Sequence, residues 1–295
     1  MQTGYFSAAW HDVKNSPGWL GKVAILGLVG LVPVFGQIVA YGYLFGWARD
    51  ISWGVHAPLP PRIFGNEDGA LYRRGFFAFV IVFVCSLMPW ALGMVWGVLA
   101  GLGAFWSARG GFAVAFGPAM MMLWLLLAAG VVVSLLFSWV GTMRVSKYGR
   151  LAPGFQFGRI WAMMRRDFGG LLRILGMAVF LMVATGVVVW AATLAITLAG
   201  ALAGVVIGTP VVSTNNPFVL MATVPGLVAL VMILVVACAA LSTAAGAFSM
   251  ALIARALGYW TRQFDVPSWH GQDDPMPFEM TGGPCPAQTP PSNRG

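Results

Sequence analysis

Apolar residues fill long uninterrupted blocks of this chain, and polar residues gather in the short stretches between them. Gly75 to Gly103, Phe112 to Met143, Ile174 to Ile207 and Phe218 to Ala254 contain no Asp, Glu, Lys, Arg or His. Each exceeds the roughly 20 residues that cross a hydrocarbon layer of about 30 Å. None alternates with period two as a barrel strand would, so each is expected to close its backbone hydrogen bonds as a helix. The predicted fold is all-α, a polytopic transmembrane helical bundle.

A fifth apolar run, Leu20 to Trp47, is interrupted by Pro33, which lacks an N–H, and by Gly36 just after it. Two readings follow: one kinked, tilted span, or a helical hairpin that enters and leaves on the same side. The hairpin has the advantage of keeping Lys14 and Lys22 beside the other cations. The segment Tyr5 to Asn15 within residues 1–18 predicts a short interfacial helix, and Ser16-Pro17 the turn into the membrane. The helical domain is expected over 19–262. From 263 to 295 Pro, Gly, Ser and acidic residues predominate, which predicts a disordered tail that buries too little apolar area to fold.

Composition fits a lipid-embedded chain, with 59% hydrophobic and only 9% charged residues. The cations are unevenly placed. Arg49, Arg62, Arg73 and Arg74 precede the second run. Arg144, Lys147, Arg150, Arg159, Arg165, Arg166 and Arg173 lie between the third and fourth, and Arg255 and Arg262 follow the last, whereas the opposite loops hold only Arg109. Short loops rich in Lys and Arg stay in the cytoplasm. The expectation is therefore a multi-pass cell-membrane protein with both termini cytoplasmic, and loops Ser107 to Gly111 and Gly208 to Pro217 outside. The net charge of +8 reads as membrane-surface electrostatics, with no nucleic-acid partner. No basic leader with a small-residue cleavage site precedes the first apolar run, so the chain is expected to start at Met1.

Phe155 to Arg173 has the sharpest local pattern. At about 100° per residue Arg159, Arg166 and Arg173 fall on one stripe, while Ile160, Trp161, Met164, Phe168, Leu171 and Leu172 gather opposite. This predicts a basic interfacial helix, bent at Gly169-Gly170, whose arginines reach anionic lipid headgroups. Two outward-running spans each carry a small-residue stripe, Gly93, Gly97 and Gly101 in one and Gly200, Gly204 and Gly208 in the other. Glycines four apart allow close helix packing, and the two stripes are expected to meet one another. Pro33, Gly36 and Gln37 are the candidate intramembrane polar site, because a broken helix exposes backbone groups.

Catalytic patterns are missing from the sequence. Glu67-Asp68-Gly69-Ala70 with Arg73 resembles the start of a lipid-headgroup transferase motif, yet no further aspartates follow to hold a metal. His11, His56 and His270 share no ligand spacing. Cys85, Cys238 and Cys285 read as small hydrophobes rather than as a disulfide or metal set. The chain is expected to be non-enzymatic and to need no cofactor.

The stretch GWLGKVAILGLVGLVPVFGQIVAYGYLFGWARDISWGVHAPLPP, followed by NEDG and an apolar span, and then YGRLAPGFQFGRIWAMMRRDFGGLLRIL, resembles a family of prokaryotic membrane proteins, domain-of-unknown-function family 4013. The resemblance runs from about Trp19 to Trp260 and implies an integral membrane protein of unknown function. The linker RIFGNEDGALYRR is poorer in Trp and Asp than the family's. Together these features point to a protein that contacts anionic membrane lipid and packs with itself or with membrane partners. The alternative is a transport component, a permease subunit or a carrier of an uncharged or lipid-like solute working at the Pro33 break.

Overall fold

The computed structural model describes residues 4–65, 69–107, 113–213, 217–269 and 271–280, without the side chains of 106–117, 206–223 and 280. The described residues are helical and contain no strand. Helix α1 spans Tyr5–Lys14, α2 Trp19–Gly30 and α3 Phe35–Ser52. The long helices are α4 (Leu71–Ser107), α5 (Ala113–Tyr148), α7 (Phe168–Ser213) and α8 (Pro217–Arg262). Between α5 and α7 lie a 3-10 turn, Ala152–Phe155, and the short helix α6, Phe157–Arg166. A second 3-10 turn, Val266–Ser268, and α9, Pro277–Met280, follow α8.

The four long helices are apolar enough to cross a membrane, yet between none and 22% of each most apolar 18-residue stretch is buried within the chain. They pack as two pairs, α4 with α5 and α7 with α8. Lipid is the solvent for their outer surfaces, so Trp90, Met121, Met182, Trp190 and Leu202 stand more than 60% exposed without cost. Helices α7 and α8, of 46 residues each, reach about 69 Å at 1.5 Å per residue. That is twice the hydrocarbon thickness, and at the Arg-rich end both continue past their apolar runs. The additional turns join α1, α2 and α3 in the core, where Tyr43, Phe45, Trp47, Leu257 and Trp260 are wholly buried.

The Pro33 break resolves as the hairpin. Loop residues 57–60 hold both ends of the α2–α3 pair: Lys22 Nζ donates to the Leu59 carbonyl at 2.8 Å and Leu59 N–H to Ser16 Oγ at 2.8 Å. From α3, Tyr43 O–H reaches the Pro60 carbonyl at 2.8 Å and Trp47 Nε1 the Ala57 carbonyl at 2.9 Å. One loop can serve both helices only if the chain turns back. Val34, at φ 64° and ψ −59°, makes that turn, with Phe35 N–H donating to the Pro33 carbonyl at 2.7 Å. This is the strained γ-turn of positive φ, uncommon for a β-branched residue.

Close helix contacts occur at single glycines rather than along the predicted stripes. A Cβ at Gly75 would strike the Ile38 carbonyl, one at Gly42 the Leu71 carbonyl, and one at Gly258 the Ala48 carbonyl. Gly93, Gly97 and Gly101 have nothing within 4 Å of where a Cβ would stand. Gly200 packs on Leu234 and Gly204 lies near Leu227, both of α8, while Gly208 falls outside the described side chains. The two stripes therefore do not meet within one chain, because α4 packs on α5 and α7 on α8.

The division of the chain at residue 263 is also corrected. Phe264, Val266, Trp269 and Met276 are buried, and the chain to Met280 folds back over the Arg-rich end. Enough large apolar side chains stand among the prolines here to anchor the segment to the core. Residues 281–295 lie outside the described residues.

Candidate lipid-facing site at the Arg-rich end

Three arginines in the long helices are buried. Arg144 on α5 is 0% exposed, Arg255 on α8 1% and Arg74 on α4 4%. Burying a cation is costly unless its donors are satisfied, and each finds oxygen acceptors. Arg255 Nε donates to Asp12 Oδ2 at 2.6 Å, and Nη1 to the Trp47 carbonyl at 3.1 Å. Its guanidinium also lies 4.3 Å from the Trp47 ring centroid, a cation–π distance. Asp12 also accepts from Tyr259 O–H at 2.8 Å, which fixes α1 to α8. Arg74 Nη1 reaches the Gly42 carbonyl at 3.4 Å, joining α4 to α3.

Arg144 is held differently. Nε donates to the Pro153 carbonyl at 3.1 Å, and Nη2 to Gln156 Oε1 at 2.5 Å and the Gln272 carbonyl at 3.4 Å. These acceptors are neutral. Beside it Lys147 Nζ donates to the Val266 carbonyl at 2.5 Å and sits 4.3 Å from the Trp53 ring centroid. The tail thus supplies main-chain oxygens to two cations of α5. Sequence reasoning took both arginines as loop cations that only set orientation. The signal it passed over is that Arg255 stands alone in the apolar helical stretch ALIARALGYW, and that Arg144 follows the apolar run of α5 within the same continuous helical pattern, GTMRVSKY.

Helix α6 is amphipathic as expected, with Ile160, Met163 and Met164 buried, but it ends at Arg166 instead of continuing through a bend at Gly169-Gly170. Asp167 causes the break. Its Oδ1 accepts the Gly170 N–H at 2.9 Å, so it caps the N-terminus of α7, and its Oδ2 accepts from Gln263 Nε2 at 2.7 Å. Arg159 and Arg166 consequently lie on α6 and Arg173 on α7, and the predicted stripe is divided. Arg159 forms an ion pair with Glu279 and donates from Nη2 to the Asp273 carbonyl at 3.0 Å. Arg166 lies 6.0 Å from the Phe278 ring centroid, Arg173 is exposed, and Arg165 is exposed. The expected apolar face separates likewise: Ile160, Met164 and Leu171 enter the core, while Trp161, Phe168 and Leu172 face outward.

Beside α6, a groove of about 300 Å³ runs between α4 and α5. Val84, Cys85, Met88, Val133, Ser134, Phe137 and Phe157 line it. Pro89 lies one turn beyond Cys85 and has no N–H to give its carbonyl. The Ser134 hydroxyl points at Met88 Sδ, 3.9 Å away, so the lining is otherwise apolar. Phe157 of the lining is about half exposed, and Trp161, also half exposed, stacks on the lining residue Phe137 at a centroid distance of 6.5 Å. The size lies at the lower end of small-molecule pockets, about 300 to 1,000 Å³. Such a groove can take a hydrocarbon chain.

The remaining candidates do not assemble. At the Pro33 break Gly36 is buried against the Val29 carbonyl, whereas Pro33 and Gln37 are exposed. Gly36 N–H donates to the Val32 carbonyl at 2.9 Å and Ile38 N–H to the Val34 carbonyl at 3.0 Å, so these backbone donors are satisfied locally. Among the described residues, no three His, Cys, Asp or Glu side chains stand together as metal ligands. Glu67, Asp68, Arg109, His270 and Cys285 fall outside the described residues.

The DUF4013 family, described as proteins of unknown function, matches residues 25–194, more than half of the 295-residue chain. The chain belongs to this family. No curated protein and no solved structure matches it. The DUF4013 match runs from α2 to the middle of α7, so it includes the hairpin, Arg74, Arg144, the groove and α6. The Asp12–Arg255 tie and the folded tail lie beyond it.

Proposed function

We propose that this DUF4013 protein is a non-enzymatic protein of the cell membrane that binds an anionic lipid, its acyl chain in the α4–α5 groove and its headgroup at the Arg-rich end. The observation that carries the reading is the groove itself, an apolar cleft that opens on a lipid-facing surface beside an interfacial helix. Trp161 stacks on the lining residue Phe137, and Trp is favoured at headgroup depth because it is apolar on its body and polar at its N–H. Arg165 on α6 and Arg173 at the start of α7 supply positive charge at the same end, worth about 1 kcal/mol each near an anionic surface. On this reading the Arg-rich end is cytoplasmic. The lipid-exposed Gly93, Gly97 and Gly101 face is then free to pack against another membrane helix, from a second copy or a partner. A carrier site at Pro33, Gly36 and Gln37 gains no support, since those residues diverge.

The test is native mass spectrometry of the purified protein in mild detergent, comparing wild type with Val133→Trp, which fills the groove. Wild type should retain phosphatidylglycerol and Val133→Trp should lose most of it while keeping its helical content. Equal retention by both would refute the groove.

A further inference from the structure

We infer that the folded part of the C-terminal tail, residues 271–279, is a built-in substitute for the lipid phosphate: its Glu279 carboxylate pairs with Arg159 of α6, with the Asp273 carbonyl beside it, and gives way to an anionic lipid headgroup. The inference rests on the lipid reading above and names its regulation. Glu279 pairs with Arg159, and the Glu279 Oε2 that makes the pair also accepts the Met276 N–H at 2.7 Å. Asp273 Oδ1 accepts Gln156 Nε2 at 2.7 Å, and the Asp273 carbonyl accepts Arg159 Nη2 at 3.0 Å. Behind them lies Arg144, wholly buried, whose acceptors are all neutral and include the Gln272 carbonyl of the same segment. A phosphate matches this array because guanidinium groups bind its oxygens in pairs.

Met276 and the Phe278–Phe264 contact hold the segment by apolar packing, while the polar contacts that release would break are weak. Both partners of the Arg159–Glu279 pair keep more than a quarter of their side-chain surface exposed, at 27% and 28%, and pairs so exposed to solvent contribute little to stability. Gln272 Oε1 is buried without a hydrogen-bond partner, a cost that undocking removes. The location fits a lipid rather than a soluble anion. Phe157 at the start of α6 lines the groove and Trp161 stacks on its lining residue Phe137, so a chain in the groove places its phosphate near the helix that carries Arg159.

The experiment uses the full chain in nanodiscs of phosphatidylcholine alone or with phosphatidylglycerol, reading hydrogen exchange at residues 271–279 and lipid retention by native mass spectrometry. Phosphatidylglycerol should speed exchange in that segment severalfold while leaving α3 protected. Asp273→Asn combined with Glu279→Gln should raise phosphatidylglycerol retention at limiting lipid by threefold or more, and Arg159→Gln should lower it. Unchanged tail exchange and unchanged retention in the double variant, with phosphatidylglycerol still bound by wild type, would overturn the tail's role and leave the groove reading standing. No preference for phosphatidylglycerol in any variant would overturn both. Equal tail release by inorganic phosphate at matched ionic strength would overturn the lipid assignment.

Discussion

Asp12 and Arg255, 243 positions apart in the chain, share a hydrogen bond of 2.6 Å at the Arg-rich end of the molecule. Arg255 is 1% exposed, and Asp12 is the carboxylate that balances its charge. The N-terminal helix is thereby held against the core, with Ala9 and Val13 of its inner face wholly buried. Asp12→Ala leaves Arg255 with only the carbonyls of Trp47 and Ala57. The expected loss is about 3 kcal/mol, the low end for breaking a buried pair, because Asp12 keeps some exposure. Thermal unfolding in detergent checks this; an unchanged midpoint would show that the carbonyls alone carry the charge.

The hairpin tip stores strain at Val34. A positive φ costs a β-branched residue on the order of 1 to 3 kcal/mol, and glycine removes that cost while adding about 0.5 to 1 kcal/mol of chain entropy. Since Val34 is half exposed and little packing is lost, Val34→Gly should stabilise the protein by about 1 kcal/mol. A lower unfolding midpoint would mean that Val34 anchors the tip in lipid.

Glycine replacements should separate real contacts from the apparent stripe. Gly75→Ala forces a methyl group against the Ile38 carbonyl, where backbone must move, and should cost about 1 to 3 kcal/mol. Gly97→Ala meets nothing and should be neutral or stabilising by up to about 1 kcal/mol, as for a helix-interior glycine. A large loss of stability or a change of oligomeric state in Gly97→Ala would reveal that a second chain covers that face.

Acid should weaken the loop that holds the hairpin. His56, 3.2 Å from Arg262 Nη1, has its pKa lowered from the ordinary 6.5, first by burial and then by Arg262, with Asp12 opposing. The unfolded chain therefore binds the proton more tightly, and stability rises with pH through the window between the lowered value and 6.5. Below that window His56 contributes no such stability, and above it the contribution is complete. His56→Gln should flatten this part of the stability profile measured from pH 5 to 8; an unaltered slope would assign it to other groups.

The sequence by itself determined the solvent of each segment. A charge-free run of more than 20 apolar residues has only the helix available in lipid, so the four long helices and the all-α class followed from local pattern alone. The character of α6 followed as well, because helical period is a local property. What required the tertiary structure was every choice among partners. A Pro break permits a kinked span or a hairpin, and residues 57–60, reached from both sides, selected the hairpin. Glycine at four-residue spacing permits close packing without naming a neighbour, and the contacts went instead to isolated Gly42, Gly75 and Gly258. The arginine count marked one end of the helices, yet whether Arg144 and Arg255 face lipid headgroups or the core depends on residues 132 and 243 positions away. Composition hides the fold of the tail for the same reason: it averages over Phe264, Val266, Trp269 and Met276, four anchors whose burial exists only where the ends of α5 and α8 converge.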